Sequence, residues 1–233
     1  MVYIVGHRGA PTYFPENTIE SFRKAIEFGV DFVECDIHLS KDEQIIVLHD
    51  ATVNRTTDGK GYIKDFNLDE LKRLSIQRAF RIPTIEEVLA LDFPILVELK
   101  SYDVSGEYHI YPNLVSKLTQ VFQESEFKRD VFFMSFNRRY LQQIGDSRFK
   151  KVYLSSDFPD LSSLKDLNLF GIGIEHHALD ALRVNEVHNH ALRVIAWTAD
   201  TKKDIEQLGK IGVDFIVSND PALAIQIIGS ISK

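Results

Sequence analysis

The chain has 233 residues, 44% hydrophobic and 26% charged, a balance that excludes disordered and fibrous classes and suits a protein with a sizeable core. Its 27 basic and 34 acidic side chains leave a net charge of −7, which argues against a nucleic-acid partner and requires local cations for any anionic substrate. One cysteine, Cys35, no basic-then-apolar leader and no apolar run of about 18 residues lead us to expect a cytoplasmic protein without stable membrane insertion.

In chain order, short apolar runs at Val2–Gly6, Phe32–His38, Ile45–His49, Ile95–Lys100, Val131–Ser135, Lys151–Ser155, Gly171–Glu175, Arg193–Trp197 and Asp214–Ser218 read as strands. Helical stretches separate most of them. Asn17 with Glu20, Asn67 with Glu70, and Thr84 with Glu87 have the spacing of an N-cap reciprocated three positions later. Ile19, Phe22 and Ile26, followed by Gly29, read as one buried stripe and its C-terminal stop.

The stretch Leu39–Gln44 is too short for a crossover between parallel strands, so Phe32–His38 and Ile45–His49 form a hairpin. Setting aside its returning arm leaves eight strands with longer connections, which predicts a (β/α)8 TIM barrel with a β-hairpin after its second strand. A doubly wound open sheet is the alternative. It calls for a glycine-rich G-x-G-x-x-G turn after the first strand, where the sequence is Gly-His-Arg-Gly-Ala-Pro. No linker or low-complexity segment interrupts the chain, so residues 1–233 read as a single domain.

A barrel places its site at the C-terminal ends of its strands. There the sequence sets His7 and Arg8, then Glu34, Asp36 and His38 at alternate positions, then Glu98 and Lys100. Alternation turns Val33, Cys35, Ile37 and Leu39 toward the helices and Glu34, Asp36 and His38 into the barrel. Carboxylates crowded in a core must be protonated, matched by cations or bound to metal. With Glu98 as the third, a hard divalent cation such as Mg2+ or Ca2+ is the most economical partner.

The hairpin returns His49 to the level of Glu34 and Asp36, and His7 arrives from the first strand, so two histidines flank the metal as a general acid and base. Arg8 and Lys100 supply positive charge for a phosphate. Taken alone, Glu98 and Lys100 read as an ion pair on a strand, and His38, His109, His176, His177, His188 and His190 as structural residues. Phe136 and Trp197 are core or pocket wall. Convergence on one rim points to phosphodiester hydrolysis.

The ordered set His7-Arg8-Gly9, Pro15-Glu16-Asn17-Thr18, Glu34-Cys35-Asp36, Lys41-Asp42, His49-Asp50, Arg55-Thr56-Thr57 with Gly59 and Gly61, Ile82-Pro83-Thr84, Glu98-Leu99-Lys100, Ser135-Phe136 and Trp197-Thr198 resembles the glycerophosphodiester phosphodiesterases, cytoplasmic bacterial type, over nearly the whole chain. The resemblance implies metal-dependent cleavage of small glycerophosphodiesters (deacylated phospholipids) to sn-glycerol 3-phosphate and an alcohol. It implies His7 and His49 as the acid–base pair, Glu34, Asp36 and Glu98 as metal ligands, Arg8 and Lys100 as phosphate-binding cations, and Glu16 as a support for Arg8. Residues 50–94 resemble the family's small insertion and are expected to cap the barrel mouth. Asp200, and Ser218-Asn219-Asp220-Pro221, depart from the family's usual pattern. Lysophospholipase D or phosphatidylinositol-specific phospholipase C activity on the same barrel is the alternative, followed by a non-catalytic barrel that binds glycerol phosphates.

Overall fold

The computed structural model describes residues 2–104 and 107–231; the ends of the expected domain, Met1 and residues 232–233, lie outside them. Strands run in the order β1 (Tyr3–Gly6), β2 (Phe32–Leu39), β3 (Ile45–Val47), β4 (Ile95–Leu99), β5 (Tyr102–Val104), β6 (Glu107–His109), β7 (Val131–Ser135), β8 (Lys150–Ser155), β9 (Gly171–Glu175), β10 (Arg193–Trp197) and β11 (Phe215–Ser218). Helices are α1 (Ile19–Phe28), α2 (Leu68–Arg73), α3 (Ile85–Leu89), α4 (Leu114–Glu124), α5 (Arg138–Gln143), α6 (Ala181–Asn189), α7 (Lys202–Ile211) and α8 (Pro221–Ile231). Among the described residues no helix is long and apolar enough to cross a membrane.

Strands β1, β2, β4, β7, β8, β9, β10 and β11 pair in parallel, and β1–β2 pairing closes the ring, so the expected eight-stranded barrel is the fold. Strand β3 is antiparallel to β2, with Ile37 opposite Val47, as the short connection requires. It ends earlier than its apolar run, because the chain leaves the ladder after Leu48, whose N–H still reaches the Asp36 carbonyl at 3.0 Å. The two-stranded β5–β6 ribbon was not among the expected strands. Between β8 and β9 the chain makes a 3-10 helix, Leu161–Leu167, rather than an α-helix.

Period-two alternation divides the core. Val33, Cys35, Ile37 and Leu39 join the large apolar cluster between strands and helices, whereas Phe32 belongs to a second cluster with Val5, Leu96, Phe132, Met134, Phe215 and Val217 inside the barrel. Phe132 packs edge-on against Phe32, Phe170 and Phe215 at centroid distances of 5.2, 5.0 and 5.8 Å. These rings plug the interior below the polar residues. A third cluster, Ile46, Leu48, Val53, Ile63, Leu71, Ile76 and Ile82, gives residues 50–94 an apolar centre of their own against the β3 arm.

Capping follows the sequence at two helices and departs from it at a third. Glu70 and Glu87 reach back to the backbone N–H of Asn67 and Thr84, at 2.8 and 2.9 Å. At α1 the N-cap is Thr18, which accepts from Ser21, and not Asn17. Asn17 has a positive φ of 56° and its side chain is used elsewhere. Gly29 ends α1 in the left-handed region, as expected.

Phe132 is buried at the centre of this plug, so Phe132→Ala should destabilise the protein by about 3–5 kcal/mol through the cavity it leaves. Urea unfolding checks this: the midpoint should fall with little change in slope.

Candidate active site

The turn after β1 is built by backbone conformation. Arg8 and Gly9 have φ of 52° and 91°, and a Cβ on Gly9 would lie 2.4 Å from Ser21 Oγ, so only glycine fits. This turn aims the Arg8 N–H at Glu34 Oε2, 2.9 Å away, and brings the Arg8 guanidinium over Asp36, with Nε 3.3 Å from Oδ2.

Glu34, Asp36 and Glu98 then face one another: one oxygen from each lies within 4.8 Å of the others, on adjacent strands that place Asp36 beside Glu98. Lys100 Nζ is 2.8 Å from Glu98 Oε1 and 3.2 Å from Asp36 Oδ1. Asn17 donates to Asp36 Oδ2 at 2.8 Å. Asp36 Oδ1 is fully buried and accepts no hydrogen bond. An acceptor met only by the Lys100 ion pair, among three convergent carboxylates, fits a hard divalent cation, whose ligands are oxygens.

Burial acts most strongly on these groups and opposes charge. It pushes Glu34 well above the ordinary carboxylate range, reinforced by Asp36 and Glu98. Glu98 is raised by burial too, with Lys100 opposing. Asp36 goes the other way: burial would raise it, but Lys100 and Arg8 outweigh burial and hold it well below the aspartate value. Lys100 is raised despite burial, by Asp36 and Glu98.

Two histidines stand over this cluster with different supports. His7 Nε2 is 4.0 Å from Glu34 Oε2, and its Nδ1 is 2.8 Å from Asn219 Oδ1. Asn219 Nδ2 donates to Asp200 Oδ2 at 2.7 Å, so Oδ1 is the oxygen turned to His7 and His7 Nδ1 carries the proton. Burial, with Arg8 nearby, lowers His7 to about 4. His49 Nδ1 instead faces the Asp50 carboxylate at 2.7 Å. Burial lowers His49 as well, against the pull of Asp36. His38 helps to hold the His49 backbone: buried, it contacts Tyr111 Oη through Nδ1 and the His49 carbonyl through Nε2, both at 3.0 Å.

A cavity of about 180 Å3 opens on these groups, lined by His7, Arg8, Glu34, His49, Glu98 and Lys100 on one side and by Phe136, Trp197 and Thr198 on the other. Phe136 and Trp197 meet edge-on at 5.6 Å, and Trp197 Nε1 is a buried donor without a partner. Glu16 accepts from Arg8 Nη1 at 2.9 Å and from both terminal nitrogens of Arg55, at 2.7 and 2.8 Å. Arg55 also clasps Asp50 at 2.7 and 2.9 Å. The ten residues singled out from the sequence therefore meet at one rim or brace it.

Residues the sequence reading assigned no place in the site are Asn17, Asp50, Arg55, Asp200 and Asn219. Asp50 carried a usable signal, a carboxylate directly after a rim histidine. Asn17 stood among the ordered landmarks without a role of its own, and Asn219 carried no signal, since a loop amide shows its partner only once the turn is known.

These features define a (β/α)8-barrel enzyme with an acidic, histidine-flanked site at the C-terminal ends of its strands. The model of the glycerophosphoryl diester phosphodiesterase family matches residues 7–223, and the chain belongs to that family of phosphoric diester hydrolases. It is 33% identical to a glycerophosphodiester phosphodiesterase of Caldanaerobacter subterraneus, over 97% of each chain. It is 30% identical to one of Bacillus altitudinis, covering 97% of this chain and 98% of that one. An Oleispira antarctica phosphodiesterase, solved in complex with the product sn-glycerol-3-phosphate, superposes with a TM-score of 0.87 at 26% identity, over 97% of this chain and 96% of that one.

Asp50 gives a pH-dependent prediction. Its hydrogen bonds from Arg55, then His49, lower it from 3.8 to about 2. A depressed carboxyl stabilises the fold above its unfolded value and loses that contribution as pH falls through its folded value. Asp50→Asn should therefore unfold at lower urea than wild type above about pH 4, with the gap closing toward about pH 2.

Proposed function

We propose that this protein hydrolyses small glycerophosphodiesters to sn-glycerol 3-phosphate and an alcohol, with Glu34, Asp36 and Glu98 holding Mg2+ or Ca2+. The observation that carries the reading is the pairing of three convergent carboxylates with two cations and two differently supported histidines around one cavity. A bound divalent ion would supply Lewis-acid polarisation of the phosphate and of a glycerol hydroxyl. Arg8 and Lys100 neutralise charge that grows on the phosphoryl oxygens, and Phe136 and Trp197 wall the organic part of the substrate. Residues 50–94 cap the mouth, tied to it through the Arg55 contacts with Glu16 and Asp50.

The histidines divide the proton work by their supports. His7, backed by a neutral amide with its proton on Nδ1, offers a free Nε2 lone pair as general base. His49 is backed by the Asp50 carboxylate, which opposes the lowering by burial and favours its protonated form, and it serves as general acid. His7 takes the proton of the glycerol 2-hydroxyl, that oxygen bonds to phosphorus, and the phosphorus–alkoxide bond breaks as His49 protonates the departing alcohol. Water then opens the cyclic 1,2-phosphate with the two roles reversed. An attached hydroxyl has an effective concentration of up to about 10^5 M or more in well-oriented cases, which favours it over direct attack by water.

Turnover of glycerophosphocholine and glycerophosphoethanolamine should vanish on exhaustive chelation and return with Mg2+ or Ca2+; activity unchanged by chelation contradicts the metal assignment. Loss of a general acid matters least for a good leaving group. His49→Ala should lose about 10^2-fold or more on a choline ester and much less on a p-nitrophenyl ester, while His7→Ala should lose activity on both. A 2-deoxy analogue that binds and is hydrolysed at the parent rate would contradict the cyclic route.

A further inference from the structure

A second cluster lies on the same rim, outside this machinery. Glu175 ends β9, and His176–Ala178 form the 3-10 turn that follows. Glu175 Oε2 accepts the His177 backbone N–H at 3.0 Å, which folds the carboxylate back over the turn. Its Oε1 then lies 2.8 Å from His177 Nδ1 and 3.2 Å from His176 Nδ1, with the two rings 3.9 Å apart. One donor atom from each of the three residues is within 4.8 Å of the other two.

An independent observation comes from His176. Its side chain is only 10% exposed, yet neither ring nitrogen makes a hydrogen bond. Buried polar atoms without partners are costly, and such a pair calls for a ligand. Nδ1 points at Glu175 Oε1, 3.2 Å away, and Nε2 faces the Asp204 carboxylate at 3.7 Å, so a proton held on Nε2 leaves the Nδ1 lone pair free for an ion in the cluster. Carboxylate, imidazole and ion in that order is how metal-bound histidines are commonly oriented.

We infer that Glu175, His176 and His177 form a second metal site, selective for a borderline divalent ion such as Zn2+ or Co2+. Two imidazoles and one carboxylate suit such ions, whereas the all-oxygen set in the barrel suits Mg2+ or Ca2+. Metal–ligand bonds of about 2.0–2.2 Å place tetrahedral donors roughly 3.3 Å apart, close to the spacing from Glu175 Oε1 to the two Nδ1 atoms, and leave a fourth position for water. In the ladder Glu175 is paired with Trp197, so the ion clips the strand end beside the aromatic wall of the cavity.

Trp197 is the only tryptophan of the chain and reports on the site directly. Tag-free full-length protein, held in millimolar Mg2+ and Ca2+, is titrated with Co2+ while visible absorption and tryptophan emission are recorded. One equivalent should bind, with a nitrogen-ligand absorption band and quenched emission. His177→Ala removes an exposed ring and should weaken binding by about ten-fold or more with an unchanged circular dichroism spectrum. His176→Gln should weaken it as much. Equal Co2+ affinity in wild type and His177→Ala would overturn the proposal. So would binding that survives His177→Ala and is lost in Glu34→Gln, which would assign the ion to the barrel carboxylates.

Discussion

The structure turns on an imbalance of charge inside a barrel. Glu34, Asp36 and Glu98 bring three carboxylates to one point, and Arg8 and Lys100 bring two cations to meet them. Asp36 takes most of that compensation and is held ionised, while Glu34, 2% exposed, is pushed toward its neutral form. A fold has no reason to crowd these groups for stability alone, since buried ion pairs rarely repay their desolvation. With all three ionised the carboxylates outnumber the two cations by one, and a divalent cation would meet that residual negative charge.

Much of the surrounding structure serves to hold that arrangement. The left-handed Arg8–Gly9 turn exists to bring a backbone N–H and a guanidinium onto two carboxylates at once, and Asn17 gives up the N-cap of α1 to donate to Asp36. Glu16, Arg55 and Asp50 form a chain of charged contacts from Arg8 to His49, so Arg8 and one histidine are positioned by the same network. The other histidine is positioned by an amide and a carboxylate from the ends of β11 and β10. The two histidines thus differ in the charge behind them, and the proposed division of proton transfer rests on this asymmetry.

What was legible in the sequence follows from periodicity. The period-two pattern of β2 placed Glu34 and Asp36 inside and Cys35 and Ile37 outside, and the brevity of Leu39–Gln44 forced the hairpin that returns His49. The order of strand-ending polar residues then located the rim. The rest depended on backbone conformations that carry no periodic signal. Asn17 has the spacing of a helix cap and loses that role because its φ is positive and Thr18 takes the cap. Asn219 and Asp200 meet across two loops, and His176 shows its unmatched nitrogens only when α7 packs Asp204 against it.

The central claim is that three carboxylates are held against their mutual repulsion for the sake of a cation, and thermal stability of Glu34→Gln with and without that cation tests it most directly. Glutamine keeps an oxygen to accept the Arg8 N–H but removes one negative charge. In chelator the variant should melt above wild type, since glutamine needs neither the proton uptake nor the repulsion that burying Glu34 costs; in saturating Mg2+ or Ca2+ the order should reverse, because only wild type gains the stabilisation of a tightly bound ion. A variant that melts below wild type in chelator, or that is stabilised by the cation as strongly as wild type, would contradict the account.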